Sequence, residues 1–231
     1  AGTGLTFTGK DGQTPDAAEN YLNTAIGGYF SPNVDPNSDA GQQQQSLTGA
    51  VDDLLGSLGG GKDISVRLID FLGKTNPGGS APLTTVLASG DATGDTFTLV
   101  DGSAEPQAEG VAPNEVFFDA GNSKGKQVFA FNLTKLGTTK TLVVKNIEAT
   151  LVAGPGNLRV DGDSPVRINS DNFGQNIRGG GGNDTLVGGG NDTLTGGAGA
   201  DIFGFSTAAK GKYTITDFNK ATDQLAFKLT G

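Results

Sequence analysis

The stretch from residue 179 to residue 204 constrains this chain most, because it repeats itself in phase. It reads GGGGNDTLV, GGGNDTLT and GGAGADIFG, which are units of nine, eight and nine residues. In each unit glycines come first, an aspartate follows, and a large apolar residue stands two positions after the aspartate. A flexible linker has no reason to keep these in register, because its behaviour depends on composition alone. The register therefore predicts a repeated fold whose geometry requires glycine.

These units resemble the calcium-binding nonapeptide G-G-x-G-x-D-x-U-x of the RTX (repeats-in-toxin) family. In that family each unit forms a turn and a short strand, and successive units coil into a parallel β-roll. The resemblance implies calcium (Ca²⁺) held by backbone carbonyls and carboxylates, a hard-oxygen set that needs neither His nor Cys. It also implies that Asp184 and Asp201, one coil apart, share an ion. The other candidate ligands in the repeats are Gly179, Gly181, Asn183, Gly188, Gly190, Asp192, Gly196, Ala198 and Ala200.

The middle unit departs from this pattern. It lacks a residue between Gly189 and Gly190, which makes its turn tighter. The loop one coil upstream carries Gln175 at the position of the aspartate. Both departures predict that a calcium site involving Asp192 is weaker than one involving Asp184.

Apolar residues extend the periodicity in both directions from the repeats. Reading back from Phe203, they fall at intervals of eight or nine residues, at Leu194, Leu186, Ile177, Ile168, Val160 and Leu151. This spacing predicts that a roll with one inward residue per strand begins near residue 150, although ordinary meander strands have similar spacing. The final segment, YTITDFNKATDQLAFKLTG, resembles the closing segment of RTX rolls and would cap the open end. Asp217 and Asp223 there are either further ligands or turn-forming residues.

The first 145 residues lack this repeat and have a different residue pattern. Helix-start residues and apolar periodicity predict helices over residues 14–26 and 46–58. Short runs rich in Val, Phe, Thr and Leu then predict strands of an antiparallel sheet or sandwich. The predicted fold is mainly β, with a helix-plus-β-sandwich-like domain over residues 1–145 and a calcium-binding β-roll with a C-terminal cap over residues 146–231.

Composition narrows the function classes. The chain has no His and no Cys, which excludes imidazole-based triads, thiol nucleophiles and sulfur-ligated metals. No motif places a nucleophile beside a base, so we predict no enzymatic activity. A carboxylate-pair glycosidase is compatible with the composition, but the chain has no Trp to stack on sugars. A net charge of −9 argues against nucleic acid as a partner, and no apolar run approaches a membrane span.

The family resemblance implies bacterial export through a type I secretion channel, and hence an extracellular or cell-surface location. Two functions then compete. We expect a structural protein that forms a homo-oligomer or polymer in an extracellular layer, filament or biofilm matrix. The alternative is a calcium-dependent adhesin that binds a cell-surface polysaccharide. For assembly, the N-terminal GLTFTGK predicts a strand able to add to the sheet edge of another subunit.

Overall fold

The computed structural model describes residues 5–7, 50, 54, 57, 64–73, 83–89, 98–101, 112–121, 127–134, 136–205 and 211–227. Within these residues the regular structure is almost entirely strand. The strands are β1 (Leu5–Phe7), β2 (Ile64–Gly73), β3 (Leu83–Ser89), β4 (Thr98–Asp101), β5 (Glu115–Asp119), β6 (Gln127–Asn132), β7 (Gly137–Lys145), β8 (Ala149–Ala153), β9 (Gly156–Val160), β10 (Arg167–Ser170), β11 (Asn176–Gly180), β12 (Thr185–Gly188), β13 (Thr193–Gly197), β14 (Ile202–Phe205), β15 (Thr214–Ile215) and β16 (Gln224–Phe227).

From β5 onward the chain winds as a parallel β-solenoid of about five coils, because successive strands alternate between two sheets. The nine-stranded sheet has the order β1-β2-β6-β8-β10-β12-β14-β16, with β3 also paired to β2. The seven-stranded sheet has the order β15-β13-β11-β9-β7-β5-β4. Every pairing between strands of successive coils is parallel, as the repeat pattern predicts.

The core between the two sheets is built from apolar rows that run along the solenoid axis. On the nine-stranded sheet Ile168, Leu186 and Phe203 stand directly opposite one another in the register. On the seven-stranded sheet Ile177 stands opposite Leu194. All five are at most 2% exposed. Burying each such side chain contributes about 1.5–3 kcal/mol, so these rows stabilise the coil.

The parallel pairing begins further upstream than residue 150, so the predicted start of the roll is wrong. Strands β5 to β7, expected in an antiparallel sheet or sandwich, pair in parallel within the same two sheets. Phe118, Phe129 and Phe131 fill the first coils, with ring centroids 5.2–6.1 Å apart, and belong to the same core as Phe203. The predicted domain boundary, between residues 145 and 146, falls in the turn from β7 to β8. The strands before the boundary lack the regularly spaced glycines and aspartates that mark the repeat from residue 179 onward.

One member of the predicted inward row also needs correction. The register places Thr150, not Leu151, opposite both Phe129 and Ile168. Thr150 is accommodated in the core because its Oγ1 donates a hydrogen bond of 2.7 Å to the carbonyl oxygen of Phe129. Leu151 points to the outer face of the sheet and is nevertheless fully buried. The spacing of apolar residues alone selected Leu151, which is the neighbour of the true core residue Thr150.

The two predicted N-terminal helices are not supported as a helical domain. The first, over residues 14–26, lies outside the described residues. Of the second, only Ala50, Leu54 and Ser57 are described, each with helical backbone. Ala50 and Leu54 are buried, and Asn169 Nδ2 donates a hydrogen bond of 3.2 Å to the carbonyl oxygen of Ala50. This contact places Ala50 against the outer face of the nine-stranded sheet at β10. Across the part of the chain that is described, no helix is long and apolar enough to cross a membrane.

Candidate metal centre

The turns of the solenoid line two opposite edges. The first edge contains the turns that lead from the seven-stranded sheet into the nine-stranded sheet, at residues 181–184, 198–201 and 216–223. The second edge contains the return turns at residues 171–175 and 189–192. At or beside the first edge lie Gly179, Gly181, Asn183, Asp184, Gly196, Ala198, Ala200, Asp201, Asp217 and Asp223. The second edge receives Gly188, Gly190 and Asp192, so the structure divides the predicted ligands between two places.

Aspartates of the first edge form a column along the solenoid axis. The backbone N–H of Asp184 donates to Asp201 Oδ1 at 2.9 Å, across 17 residues of chain. The N–H of Asp201 donates in turn to Asp223 Oδ1 at 3.1 Å, and the N–H of Val166 donates to Asp184 Oδ1 at 3.0 Å. Each carboxylate therefore ties its own coil to the preceding coil. Asp184 and Asp201 lie in neighbouring turns, as the repeat predicts; their sharing of an ion stays a prediction.

The first glycine of each long unit makes room for the aspartate of the same unit. A Cβ atom on Gly179 would lie 2.9 Å from Asp184 Cγ, and closer still to Asp184 Oδ2. A Cβ atom on Gly196 would lie 2.7 Å from Asp201 Cγ. Real Cβ atoms do not approach other atoms so closely, so only glycine fits. This close approach is the geometric reason for the leading glycines.

A buried oxygen without a partner marks the space between these turns. Asp184 is 1% exposed, and its Oδ2 has no hydrogen-bond partner among the described residues. The carbonyl oxygen of Gly196 lies nearby, because Asp184 Oδ2 and this oxygen would both lie within 2.8 Å of a Cβ atom on Gly179. A buried carboxylate oxygen without a partner is costly. A hard cation such as calcium fits this all-oxygen donor set.

Three carboxyl groups of this edge have shifted pKa values. Burial raises the pKa of Asp184 to about 6, and the negative charge of Asp201 adds to the increase. Burial also raises the pKa of Asp201, with Asp223 and Asp217 contributing through repulsion. The pKa of Asp223 is lowered, chiefly because the backbone N–H of Asn219 donates to it. A bound cation would counter the repulsion between these charges.

The remaining predicted ligands of this edge join neighbouring turns. Asp217 accepts hydrogen bonds from the backbone N–H groups of Gly196 and Gly197 at 3.0 and 2.9 Å. Asp223 Oδ2 accepts from the N–H of Asn219 at 2.8 Å. The local contact of Asp223 favours the turn-forming alternative for that residue. Asp217 instead ties its turn to the preceding coil.

Backbone groups complete the link between the same turns. Asn183 Oδ1 accepts from the N–H of Ala200 at 2.9 Å, and the N–H of Ala198 donates to the carbonyl of Gly180 at 3.0 Å. The N–H of Gly181 donates to the carbonyl of Gly162 at 2.9 Å. The carbonyl lone pairs of these turns thus remain the main oxygens available to a cation.

Asp192 on the second edge is satisfied by protein donors. Its Oδ1 accepts from the backbone N–H of Gln175 at 2.9 Å. Its Oδ2 accepts from Ser170 Oγ at 2.7 Å and from the N–H of Gly189 at 3.0 Å. Burial raises its pKa to about 6, and these hydrogen bonds oppose the increase. With both oxygens occupied, Asp192 needs no cation, in keeping with its predicted weaker site.

Asp171 completes the second edge and escaped the sequence analysis. It is fully buried, and it accepts hydrogen bonds from the N–H groups of Gly154 and Phe173 at 2.9 and 3.2 Å, and from the side-chain amide of Gln175. Burial raises its pKa to about 7. The only signal in the sequence is its place in SDNFG, a pattern typical of an exposed Asx turn.

Side-chain carboxylates alone do not make a metal centre here. Within the residues that the structure describes, no three acidic side chains are grouped closely enough to hold an ion. A cation on the first edge would therefore depend on backbone carbonyls for most of its ligands. Comparison of the chain with protein-family models, with curated proteins and with solved structures gives no match.

Proposed function

We propose that this chain is a secreted calcium-binding structural protein that self-assembles into an extracellular layer, filament or biofilm matrix. The observation that carries the proposal is the buried, unpartnered Oδ2 of Asp184 beside the carbonyl oxygen of Gly196. This arrangement is unfavourable without a cation and favourable with one.

Calcium at this position would act on folding. Asp184 and Gly196 would hold it, with Gly179, Gly181, Asn183, Ala198, Ala200 and Asp201 as further candidates. The ion would supply a cross-link between two coils that already exchange hydrogen bonds. Because a site of this kind does not exist in the unfolded chain, its binding free energy becomes folding free energy. Export into a calcium-rich medium would then complete the fold.

Assembly is supported by the C-terminal end of the solenoid rather than by the N-terminal strand. The segment expected to join a neighbour, β1, pairs with β2 of its own chain. At the other end β16 is the last strand of its sheet, and Leu225 continues the inward row of Phe203 while remaining 46% exposed. Phe218 and Phe227 beside it are also exposed. Strand edges that expose apolar side chains favour association.

Thermal unfolding and light scattering of the full chain test this proposal. Millimolar calcium should raise the unfolding midpoint and produce ordered polymers, and excess EDTA should return both to their starting values. Magnesium at the same concentration should do neither, because it demands a smaller and more rigid octahedral site. An unchanged midpoint in calcium would refute calcium binding. A raised midpoint with a protein that stays monomeric at high concentration would refute the structural role and favour the adhesin.

A further inference from the structure

The outer face of the seven-stranded sheet carries two regular rows of polar side chains. They project away from the core from β9, β11 and β13 and from the segment around β15, and the register aligns them from coil to coil. One row consists of Asn157, Asn176, Thr193 and Thr214, and the other of Arg159, Arg178, Thr195 and Thr216. None of the eight side chains is apolar, and none is a carboxylate.

Hydrogen bonds hold these rows in a flat, repeating array. Asn176 Nδ2 donates to Asn157 Oδ1 at 2.9 Å, and the hydroxyls of Thr195 and Thr216 lie 2.7 Å apart. Neighbouring strands are about 4.8 Å apart, so donors and acceptors recur at that interval along the solenoid. A shallow cleft of about 230 Å³ runs over this surface, lined by members of both rows.

The two rows carry two arginines, and the first row continues upstream through Thr141 to one carboxylate, that of Glu115. Arg159 and Arg178 stand directly opposite each other, which is unfavourable for like charges. Arg159 is compensated by Glu115, whose Oε1 lies 2.8 Å from the Arg159 guanidinium. Arg178 is exposed and has no ion pair or hydrogen bond with another described side chain. In a chain of net charge −9, this leaves an unneutralised guanidinium among neutral hydrogen-bonding groups.

We propose that this face binds an extended anionic polysaccharide, with Arg178 pairing with its carboxylate or sulfate groups. Guanidinium forks recognise such anions in bidentate geometry, and amide and hydroxyl side chains match sugar hydroxyls. A protein partner would need an apolar centre, which the two rows lack. A nucleic acid duplex carries one negative charge about every 1.7 Å along its axis. The acidic protein would repel this dense charge far more strongly than it would repel a polysaccharide with one charge per sugar.

This site is independent of calcium binding. Its residues stand on the outward face of the strands, whereas the candidate metal ligands lie in or beside the turns. The polysaccharide proposal therefore survives if the calcium proposal fails, and the reverse also holds. It extends the proposed matrix function, because a matrix subunit that also holds a polysaccharide would link the protein layer to a glycan layer.

Calorimetric titration of the full chain tests the proposal with three soluble probes of similar length. These are oligogalacturonate (carboxylate), sulfated dextran (sulfate) and plain dextran (neutral). The wild type should bind at least one anionic probe, more weakly as salt rises, and should not bind dextran. Arg178→Gln should weaken binding about tenfold, the loss expected for one hydrogen bond to a charged group. Which anionic probe binds more tightly identifies the group that is recognised.

Lys220→Gln is the matched control, because it changes the net charge equally in the exposed C-terminal turn. It should alter binding less than twofold, and both variants should keep the wild-type unfolding midpoint, since both side chains are exposed. Should Arg178→Gln lower the midpoint, Asn176→Asp, which adds a negative charge to the face with little change of shape, should weaken binding at least as much. Equal losses in Arg178→Gln and Lys220→Gln, equally tight binding of dextran, or no binding of any probe would overturn the proposal.

Discussion

The two edges of the solenoid bury the same kind of side chain and satisfy it by different means. On the first edge Asp184 has one oxygen bonded to a backbone N–H and the other without a donor. On the second edge Asp192 has both oxygens bonded to protein donors. The two aspartates occupy equivalent positions in consecutive repeat units, and both have a pKa raised to about 6 by burial. Burial is therefore not what separates them.

The difference comes from the neighbouring coil. The coil next to Asp192 supplies two donors, the hydroxyl of Ser170 and the backbone N–H of Gln175. The shortened unit of Asp192 itself supplies a third, the N–H of Gly189. Beside Asp184 the next coil supplies the carbonyl of Gly196, an acceptor. An aspartate in a repeat is thus a potential metal ligand only where the adjacent coil offers it acceptors. Three measurements test this difference between the edges.

Asp192→Ala should have the largest effect. It leaves the N–H of Gln175 without an acceptor in a buried place. Ser170 Oγ and the N–H of Gly189 keep only longer contacts of 3.3 Å, to the carbonyl of Val187 and to Ser170 Oγ. We expect a loss of about 4 kcal/mol in the free energy of unfolding, equal in EDTA and in calcium. Chemical denaturation under both conditions measures it, with the exposed Asp161→Ala as control, expected to change stability by less than about 0.5 kcal/mol. A loss that appears only in calcium would show that Asp192 is a ligand.

Asp184→Asn should give a smaller effect that depends on calcium. In calcium at a hundred times its dissociation constant, the variant should lose most of the stabilisation by the ion, about 3 kcal/mol. In EDTA it should be as stable as the wild type or more stable, because the new amide can donate toward the carbonyl of Gly196.

Glu148→Gln, which is exposed and makes the same charge change, is the matched control and should behave as the wild type. Adding to Asp184→Asn the change Asp201→Asn, which keeps an oxygen to accept the N–H of Asp184, should cost little more in calcium, because both changes weaken the binding of the same ion. Equal destabilisation by Asp184→Asn in EDTA and in calcium would remove the contrast between the edges.

The pH dependence should give the smallest effect. The pKa of Asp171 is about 7 in the folded protein against an ordinary 3.8, so between these values the folded state holds a proton that the unfolded state releases. Raising the pH through this range in EDTA therefore lowers stability, by at most about 1.4 kcal/mol per pH unit for this group. Asp171→Asn should flatten the slope between about pH 6 and pH 7, where Asp184 and Asp192 contribute least. An unchanged slope in denaturation curves over that range would contradict the assignment.

Sequence reasoning succeeded where the signal is local and repeated. The glycine–aspartate register predicted the parallel solenoid and the adjacency of Asp184 and Asp201. The shortened unit and Gln175 predicted a weaker calcium site at Asp192, which stays a prediction. Each of these inferences uses residues within one unit or one coil, where spacing along the chain translates directly into position.

The sequence misled where pairing is not local. The strands from β5 to β7 have the composition of any β-rich segment, and their composition does not say whether neighbours run parallel or antiparallel. Thr150 was passed over for Leu151 because polarity alone does not show that a hydroxyl has found a backbone acceptor. Asp171 was missed because an Asx pattern looks the same in an exposed turn and under a covering coil.

The repeat, its period and the positions that need glycine can be read from the sequence. Those properties follow from the geometry of one coil, because every unit repeats the same residue pattern. Only the tertiary structure decided which carboxylates have donors, which oxygen is left without one, and where Arg178 stands without a countercharge. The reason is physical: these groups are satisfied by atoms of the neighbouring coil, 17 or more residues away, such as the N–H of Asp184 that reaches Asp201. Nothing in a single unit shows what the next coil will present to it.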